Sequence, residues 1–255
     1  DGARTCTQRK RLMSRAAVAI YGLVCYAIFL SAVAYLMGFA TTLAVPKSVD
    51  DGLVRPWPIA LGINGLLIAL FAVQHTVMVR PGFKRVFERW LPRACERSTF
   101  VLASSLVLLL LCLLWSPLPG TLWSIDHPWL RGLLWAGCGF GWGLALLSTF
   151  QFDHFGLFGL RQAWEYPRGS QETSASQFAV PWLYRWVRHP MMTGFLIALW
   201  VMPDMSTNQA LLAGGFSLYI WLGTLHEERG LIREFGDSYR QYAASTPRFF
   251  PRILR

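Results

Sequence analysis

The sequence predicts an all-α, polytopic integral membrane protein with four transmembrane helices followed by a carboxy-terminal helical hairpin. Hydrophobic residues make up 54% of the chain and charged residues only 15%, whereas a soluble domain carries about 25% charged residues. The apolar residues form long runs without charge, and the basic residues fall in alternate loops. These observations exclude an ordinary soluble enzyme.

The apolar runs define the expected spans, because a helix of about 20 apolar residues crosses a bilayer. In chain order the runs are 16–40, 57–79, 100–115, 132–152, 190–203 and 208–225. The last two form the hairpin, and its first arm has 14 residues. As a helix that arm reaches roughly 21 Å, which is short for a full span. The prediction is therefore five or six transmembrane helices.

The basic residues predict the orientation. The net charge is +10, and 21 of the 24 Lys and Arg residues lie in the segments 1–17, 80–97, 153–189 and 226–255. Since cytoplasmic loops carry the excess of Lys and Arg, these segments and both termini are expected at the cytoplasmic face of a bacterial inner membrane. Most of these residues then set the topology and contact lipid headgroups, and nucleic acid is not an expected partner.

Given this orientation, polar side chains from distant parts of the chain gather in one layer at the inner face. Polar groups are costly inside a membrane, so each is a functional candidate. The layer contains Gln74, His75, Gln151, Asp153, His154, His189, His226, Glu227 and Glu228. We expect one domain over residues 1–255, with the site formed by 153–189 and 226–255. For any single residue, an interfacial position that reaches water is an equally good explanation.

Two other patterns are interpreted without a ligand. The stretch 137–143 contains two overlapping G-x-x-x-G pairs, at 137/141 and 139/143, which favour close helix packing. It lacks the spacing and the preceding strand of a dinucleotide-binding loop. The five Cys residues show no C-x-x-C spacing, so neither a disulfide framework nor a zinc site is expected, and no metal is predicted.

The carboxy-terminal third carries a specific order of residues. R-H-P-M-M-T-G at 188–194 precedes the hairpin, and H-E-E-R-G-L at 226–231 follows it, with F-G, Y-R and a second Tyr further on. This arrangement resembles the isoprenylcysteine carboxyl methyltransferase superfamily of integral-membrane methyltransferases. One departure is Met192, where that superfamily usually has tyrosine.

A further segment narrows the resemblance. The sequence S-T-F-Q-F-D-H-F-G-L-F-G-L-R-Q at 148–162 is similar to the corresponding segment of the methanethiol S-methyltransferases, as are Q-H at 74–75 and E-R-S-T at 96–99. With these the resemblance covers most of the chain. It implies S-methylation of methanethiol by S-adenosyl-L-methionine (S-adenosylmethionine), with release of dimethyl sulfide.

The resemblance implies that the carboxy-terminal segments bind the cofactor. Arg188 and Arg240 suit its carboxylate, and Pro190 begins a helix whose free N–H groups favour a polar ligand. Because successive helix residues diverge, we expect one of Glu227 and Glu228 to contact cofactor and the other to pair with an arginine. The expected cofactor-binding residues are Tyr184, Arg188, His189, Pro190, Gly194, Glu227, Glu228, Tyr239 and Arg240.

Methyl transfer to a thiol requires alignment of the reacting atoms and favours the thiolate. Asp153 or His154 is the expected base, with His75 in reserve. Histidine has the better ordinary pKa for this role, about 6.5, whereas the pKa of an aspartate would have to be raised by burial. Alternatively, Asp153 only orients His154 or an arginine, and the thiol ionises unaided.

Two other functions remain open from the sequence. The first is methylation of a prenylcysteine carboxylate or a lipid by the same cofactor. A substrate of that size would need a wide lateral opening in the protein. A non-catalytic transporter or scaffold is the second alternative, although the sequence shows no internal repeat of the kind typical of transporters. The expected partners are the lipid bilayer and a small thiol, and no oligomeric state is predicted.

Overall fold

The computed structural model describes residues 14–88, 90–166 and 179–251, and in these ranges the chain is mostly helical. Two short 3₁₀ turns, Arg93–Cys95 and Trp182–Arg185, accompany the longer elements. Those elements are α1 (Arg15–Thr41), α2 (Trp57–Met78), α3 (Pro81–Phe87), α4 (Glu96–Leu114), β1 (Thr121–Ser124), α5 (Pro128–Phe150), α6 (His154–Leu157), α7 (Leu160–Glu165), α8 (Pro190–Trp200), β2 (Asp204–Ser206), α9 (Thr207–Phe235) and α10 (Asp237–Ser245).

Local sequence signals set the ends of several helices. Ser14 caps α1, because its Oγ accepts the backbone N–H of Ala17 at 3.2 Å. Ser206 and Gln209 form a capping box at the start of α9. Proline in the first turn of α2, α5 and α8 loses no hydrogen bond there. At the end of α9 the chain turns at Gly236 with a φ of +58°, a conformation that favours glycine.

Within the described residues, four helices are long and apolar enough to cross a membrane, namely α1, α2, α4 with its preceding 3₁₀ turn, and α5. Their outer surfaces carry large apolar side chains such as Leu66 and Leu133, which are 71% and 68% exposed and suit contact with lipid. The helices occupy the first four predicted spans, with bounds that differ by a few residues. The chain is therefore a mostly helical, polytopic membrane protein, as predicted.

The hairpin of α8 and α9 differs from its predicted bounds. α8 ends at Trp200, so its 11 residues rise about 16 Å. α9 continues to Phe235, well beyond the predicted end at residue 225, because no proline interrupts it before the turn at Gly236. The segment 226–235 is therefore a polar extension of this helix.

The turn of the hairpin packs against two loops, the one between α1 and α2 and the one between α4 and α5. β2 pairs antiparallel with β1, Arg131 donates two hydrogen bonds to Asp204 at 2.8 and 2.9 Å, and Asn208 donates to Asp50 at 2.9 Å. Residues 201–203 are not helical, so a non-helical segment connects α8 to β2. The strands were not predicted, because segments this short carry no alternating pattern.

The hydrophobic core lies in the half of the bundle next to these loops. Phe39, Trp115 and Leu212 are at most 1% exposed and belong to one cluster. Asn64, also fully buried, exchanges two hydrogen bonds with the backbone of Ser116, at 2.8 and 2.9 Å. This intramembrane asparagine is thereby satisfied as a structural link. The other half of the bundle contains a second, smaller hydrophobic cluster.

α5 and α8 approach closely at glycine residues. A Cβ added to Gly141 would lie 2.5 Å from the backbone nitrogen of Ala198, and one added to Gly137 would lie 2.7 Å from a methyl of Val201. A Cβ on residue 139 or 143 would meet no atom within 4 Å. The packing interpretation is therefore correct for the pair 137/141 and wrong for the pair 139/143, which faces away from α8.

Gly141→Ala is expected to destabilise the protein, because the new methyl group would collide with the backbone of α8. Overpacking of this kind costs about 1–3 kcal/mol. The matched control is Gly143→Ala on the same helix, where the added methyl has open space and should be tolerated. Thermal unfolding in detergent micelles measures both. Equal midpoints for the two variants would contradict the packing account.

Candidate active site

The carboxylate of Glu228 is the centre of a buried cluster near the start of α8 and in the last third of α9. Its side chain is only 10% exposed. Arg248 donates twice to it, from Nε to Oε1 at 3.1 Å and from Nη2 to Oε2 at 2.6 Å. Nε2 of His189 lies 3.1 Å from Oε1. The residue before α8, the last third of α9 and the tail after α10 therefore meet at one carboxylate.

Arg188 approaches the same carboxylate without a hydrogen bond to it. Its Nε lies 3.1 Å from Oε1 of Glu228, and this buried N–H has no hydrogen-bond acceptor among the described residues. Its Nη1 donates to the carbonyl of Ala243 at 2.8 Å, and its backbone N–H donates to the carbonyl of Pro247 at 2.9 Å. Arg188 is thus held by α10 and the residue Pro247 after it, while its buried Nε–H has no acceptor among the described residues.

Among the buried groups of the cluster, positive charge exceeds negative charge. Burial alone would raise the pKa of Glu228, but the hydrogen bond from Arg248, the charge of Arg188 and the contact with His189 outweigh burial and lower that pKa below its ordinary value. Two guanidinium groups therefore share one ionised carboxylate. Such an excess, together with a buried N–H that lacks an acceptor, suits the binding of an anionic group.

Aromatic side chains border this cluster. The ring of Tyr184 contacts that of Phe152 edge-on, with centroids 4.9 Å apart, and its carbonyl accepts the hydroxyl of Tyr242 at 2.6 Å. Tyr239 is 2% exposed and its ring lies 5.8 Å from that of Tyr242. Burial raises the pKa of Tyr242 to about 12, so its hydroxyl stays protonated and continues to donate.

The two neighbouring glutamates point in different directions, as the helix geometry predicts. Glu228 is the one that pairs with arginine. Glu227 is 55% exposed, and its Oε2 lies 3.7 Å from Nδ1 of His189. Glu227 therefore remains the glutamate with a carboxylate available at the edge of the cluster.

Three other predicted cofactor residues differ in position. Pro190 is buried at the start of α8, directly after the cluster. Gly194 lies against α5, where an added Cβ would be 2.5 Å from the backbone nitrogen of Ala145, which makes it a packing position. Arg240 is 63% exposed and pairs with Asp237 at 2.7 Å. Arg240 thus lies outside the cluster, where Arg248 contacts the glutamate instead, and its expected role in binding the cofactor stays a prediction.

His154 lies in a second buried site, where α6 meets α1. Its ring is stacked on Phe150, with centroids 4.2 Å apart and planes 3° from parallel. Nδ1 lies 2.7 Å from Oγ1 of Thr149, and Nε2 lies 2.7 Å from the hydroxyl of Tyr26. Burial lowers the pKa of His154, although the charge of Asp153 opposes this. The imidazole is therefore neutral at pH 7.

Both carboxylate oxygens of Asp153 bind groups that stabilise the local fold. Its Oδ1 accepts the backbone N–H of Gly156 at 3.1 Å, which caps α6, and its Oδ2 pairs with Arg161 at 2.7 Å. Both oxygens are thus occupied. This geometry matches the alternative in which Asp153 orients an arginine, and it leaves the neighbouring histidine as the better candidate base.

His75, the reserve candidate, lies apart from both clusters, between α2, α4 and α9. Its Nδ1 is 2.8 Å from the hydroxyl of Tyr219, and its ring meets those of Phe71 and Phe100, with centroids 5.5 and 4.8 Å away. Among the residues that the structure describes, no group of three or more His, Cys, Asp or Glu side chains could hold a metal ion.

Sequence reasoning missed two residues of these clusters. Arg248 follows the recognised motif residues in a tail without regular pattern, so only its charge marked it. Tyr26 lies inside the first apolar run, and its hydroxyl was the available signal, because a polar group within a span needs a partner.

The family of this chain is shown by its similarity to known proteins. The model of the family described as NnrU protein matches residues 65–250. No solved structure matches the chain. Human nurim is 32% identical over 185 residues, which cover 69% of this chain and 68% of nurim.

Closer relatives narrow the class. Methanethiol S-methyltransferase 2 of Bradyrhizobium diazoefficiens is 44% identical over 95% of this chain and 93% of its own. The methanethiol S-methyltransferase of Mycobacterium tuberculosis is 42% identical over 94% of this chain and 98% of its own. The chain thus belongs to the NnrU protein family and, within it, to the methanethiol S-methyltransferases.

Proposed function

We propose that this protein transfers a methyl group from S-adenosylmethionine to methanethiol and so forms dimethyl sulfide. The observation that carries the proposal is the convergence of the segments around α8 and α9 on Glu228, with Arg188, Arg248 and His189 bound to one carboxylate. The relatives that share nearly the whole chain are named methanethiol S-methyltransferases.

The chemistry of the cluster fits this cofactor. The carboxylate of its amino-acid part suits the unsatisfied N–H of Arg188 and the excess positive charge. Its ammonium or ribose hydroxyls suit the exposed carboxylate of Glu227, and aromatic side chains such as Tyr184 suit its adenine. When bound, the cofactor would supply a methyl group already activated by attachment to a sulfonium sulfur.

The remaining requirements fall on the protein. The thiol sulfur has to be held in line with the methyl group at near-attack distance, and it reacts best as the thiolate. Methanethiol is small and apolar, so it can reach the inner leaflet through the bilayer.

The positive-inside pattern supports a site at the cytoplasmic face of the inner membrane. On this basis the hairpin crosses the bilayer, with α9 as one arm and with α8 and the non-helical residues 201–203 as the other. The site lies in a single domain formed by the whole chain. Cytosolic S-adenosylmethionine then reaches the cluster directly.

Cells that express the protein and receive methanethiol are expected to release dimethyl sulfide, measured by gas chromatography of the headspace. Cells with the empty vector give the background. If dimethyl sulfide does not exceed that background while the purified protein still binds S-adenosylmethionine, the acceptor is instead a prenylcysteine or a lipid. If the purified protein does not bind S-adenosylmethionine either, a transporter or scaffold is favoured.

A further inference from the structure

The hydrogen bonds around His154 define which of its nitrogens carries the proton. The hydroxyl of Thr149 donates its single hydrogen to the carbonyl of Leu146, at 2.6 Å. Its oxygen, 2.7 Å from Nδ1 of His154, must therefore accept a hydrogen from Nδ1. In the neutral ring Nε2 then holds a lone pair, and the hydroxyl of Tyr26 donates to it at 2.7 Å.

In the pair of Tyr26 and His154, the hydroxyl of Tyr26 is the group that can still bind a substrate. Among the described residues its hydroxyl makes no hydrogen bond other than the one to His154, so the oxygen can still accept one. Aromatic side chains flank Tyr26, since the rings of Phe29, Phe155 and Phe158 lie 6.1 to 6.3 Å from its own. Aromatic neighbours beside one polar atom suit a methyl thiol, because sulfur packs favourably against aromatic rings.

The chain connects this pair to the aromatic side chains that border the cluster around Glu228. His154 is two residues from Phe152, whose ring contacts Tyr184, and two residues span at most about 7 Å. The alternative pair of His75 and Tyr219 lies deeper. Tyr219 precedes Glu228 by nine residues on α9, which corresponds to about 13 Å along the helix.

We propose that Tyr26 is a catalytic residue that passes the proton of the thiol to His154, an inference that rests on the proposed function. The S–H bond breaks as its proton moves to the oxygen of Tyr26, while the tyrosine's own proton moves to Nε2 of His154. The sulfur uses the freed electron pair to bond the methyl group, whose bond to the sulfonium donor breaks with its pair left on the donor. The imidazolium then returns the proton to water.

The test is Tyr26→Phe, which keeps the ring and removes only the hydroxyl. At pH 7 the rate of dimethyl sulfide formation should fall by on the order of 10²-fold, the usual scale for loss of acid–base assistance. The deficit should shrink as pH rises, because more thiol ionises unaided. The dissociation constant for S-adenosylmethionine should stay within two-fold. Replacing Tyr26 with 3-fluorotyrosine, which keeps the hydroxyl, should restore most of the rate.

Tyr35→Phe is the matched control, because Tyr35 lies on the same helix and donates a single hydrogen bond to the carbonyl of Lys47 at the other end of the bundle. It should leave the pH profile unchanged. If the wild type is active but Tyr26→Phe shows no loss of rate, or the same loss at every pH, the relay is overturned and the proposed function still stands. If Tyr26→Phe does not fold, a 3-fluorotyrosine variant with an unaltered pH profile would overturn it. A wild type that forms no dimethyl sulfide would remove both the relay and the proposed function.

Discussion

Glu228→Gln is expected to lower the free energy of unfolding by about 3–5 kcal/mol, because it leaves buried cationic side chains without their counter-ion. The side chains of Arg188 and Glu228 are only 13% and 10% exposed, so water cannot replace the lost carboxylate. In thermal unfolding of the protein in detergent micelles, the midpoint should fall by on the order of 10 °C.

Glu227→Gln is the matched control, because that side chain is 55% exposed and its replacement should cost less than about 0.5 kcal/mol. The pH dependence gives a second check. The pKa of Glu228 is lowered on folding, so its contribution to stability is complete above its ordinary pKa and is lost as pH falls below it. The Glu228→Gln variant should therefore lack this loss of stability at acidic pH. Equal midpoints for the two variants would contradict the buried-carboxylate account.

Arg188→Met is expected to weaken the binding of S-adenosylmethionine by roughly ten-fold to one hundred-fold. Loss of a hydrogen bond to a charged group costs about 1.5–3 kcal/mol, and each 1.4 kcal/mol corresponds to about ten-fold in affinity. Methionine keeps the length of the side chain but provides no donor. Isothermal titration of the purified protein with the cofactor measures the change directly.

Arg233→Met serves as the control, since Arg233 is an exposed arginine of the same helix that carries Glu228, and it should leave the affinity within two-fold. Arg240→Met tests the motif-based expectation that Arg240 binds the cofactor. In the structure Arg240 pairs with Asp237 at the surface, so this variant should bind the cofactor normally. A large loss of affinity in Arg240→Met together with unchanged affinity in Arg188→Met would show that the wrong arginine has been assigned.

The long helices could be predicted from sequence, because apolar runs of the right length have few other stable structures in a membrane. The bounds failed where local composition was ambiguous. Residues 201–203 are apolar but not helical, so the predicted first arm was too long. The segment 226–235 is polar yet helical, since helix formation depends on the absence of a breaker rather than on hydrophobicity.

The site could be predicted only where its residues stand close together in the chain. Arg188 and His189 precede α8, and the order of motif residues places Glu228 after the hairpin. The partners of these groups lie far away in sequence. Tyr26 meets His154 across 128 positions, and no periodic pattern links two such residues. Tertiary contacts, rather than local propensity, therefore account for the residues that were missed.

The most direct test of the central claim follows the methyl group itself. Purified protein in lipid nanodiscs is given methanethiol and S-adenosylmethionine whose methyl group carries three deuterium atoms, and the headspace is analysed by mass spectrometry. The account predicts dimethyl sulfide with three deuterium atoms, formed in far smaller amounts by Arg188→Met. Unlabelled dimethyl sulfide, or no dimethyl sulfide from folded wild-type protein, would contradict it.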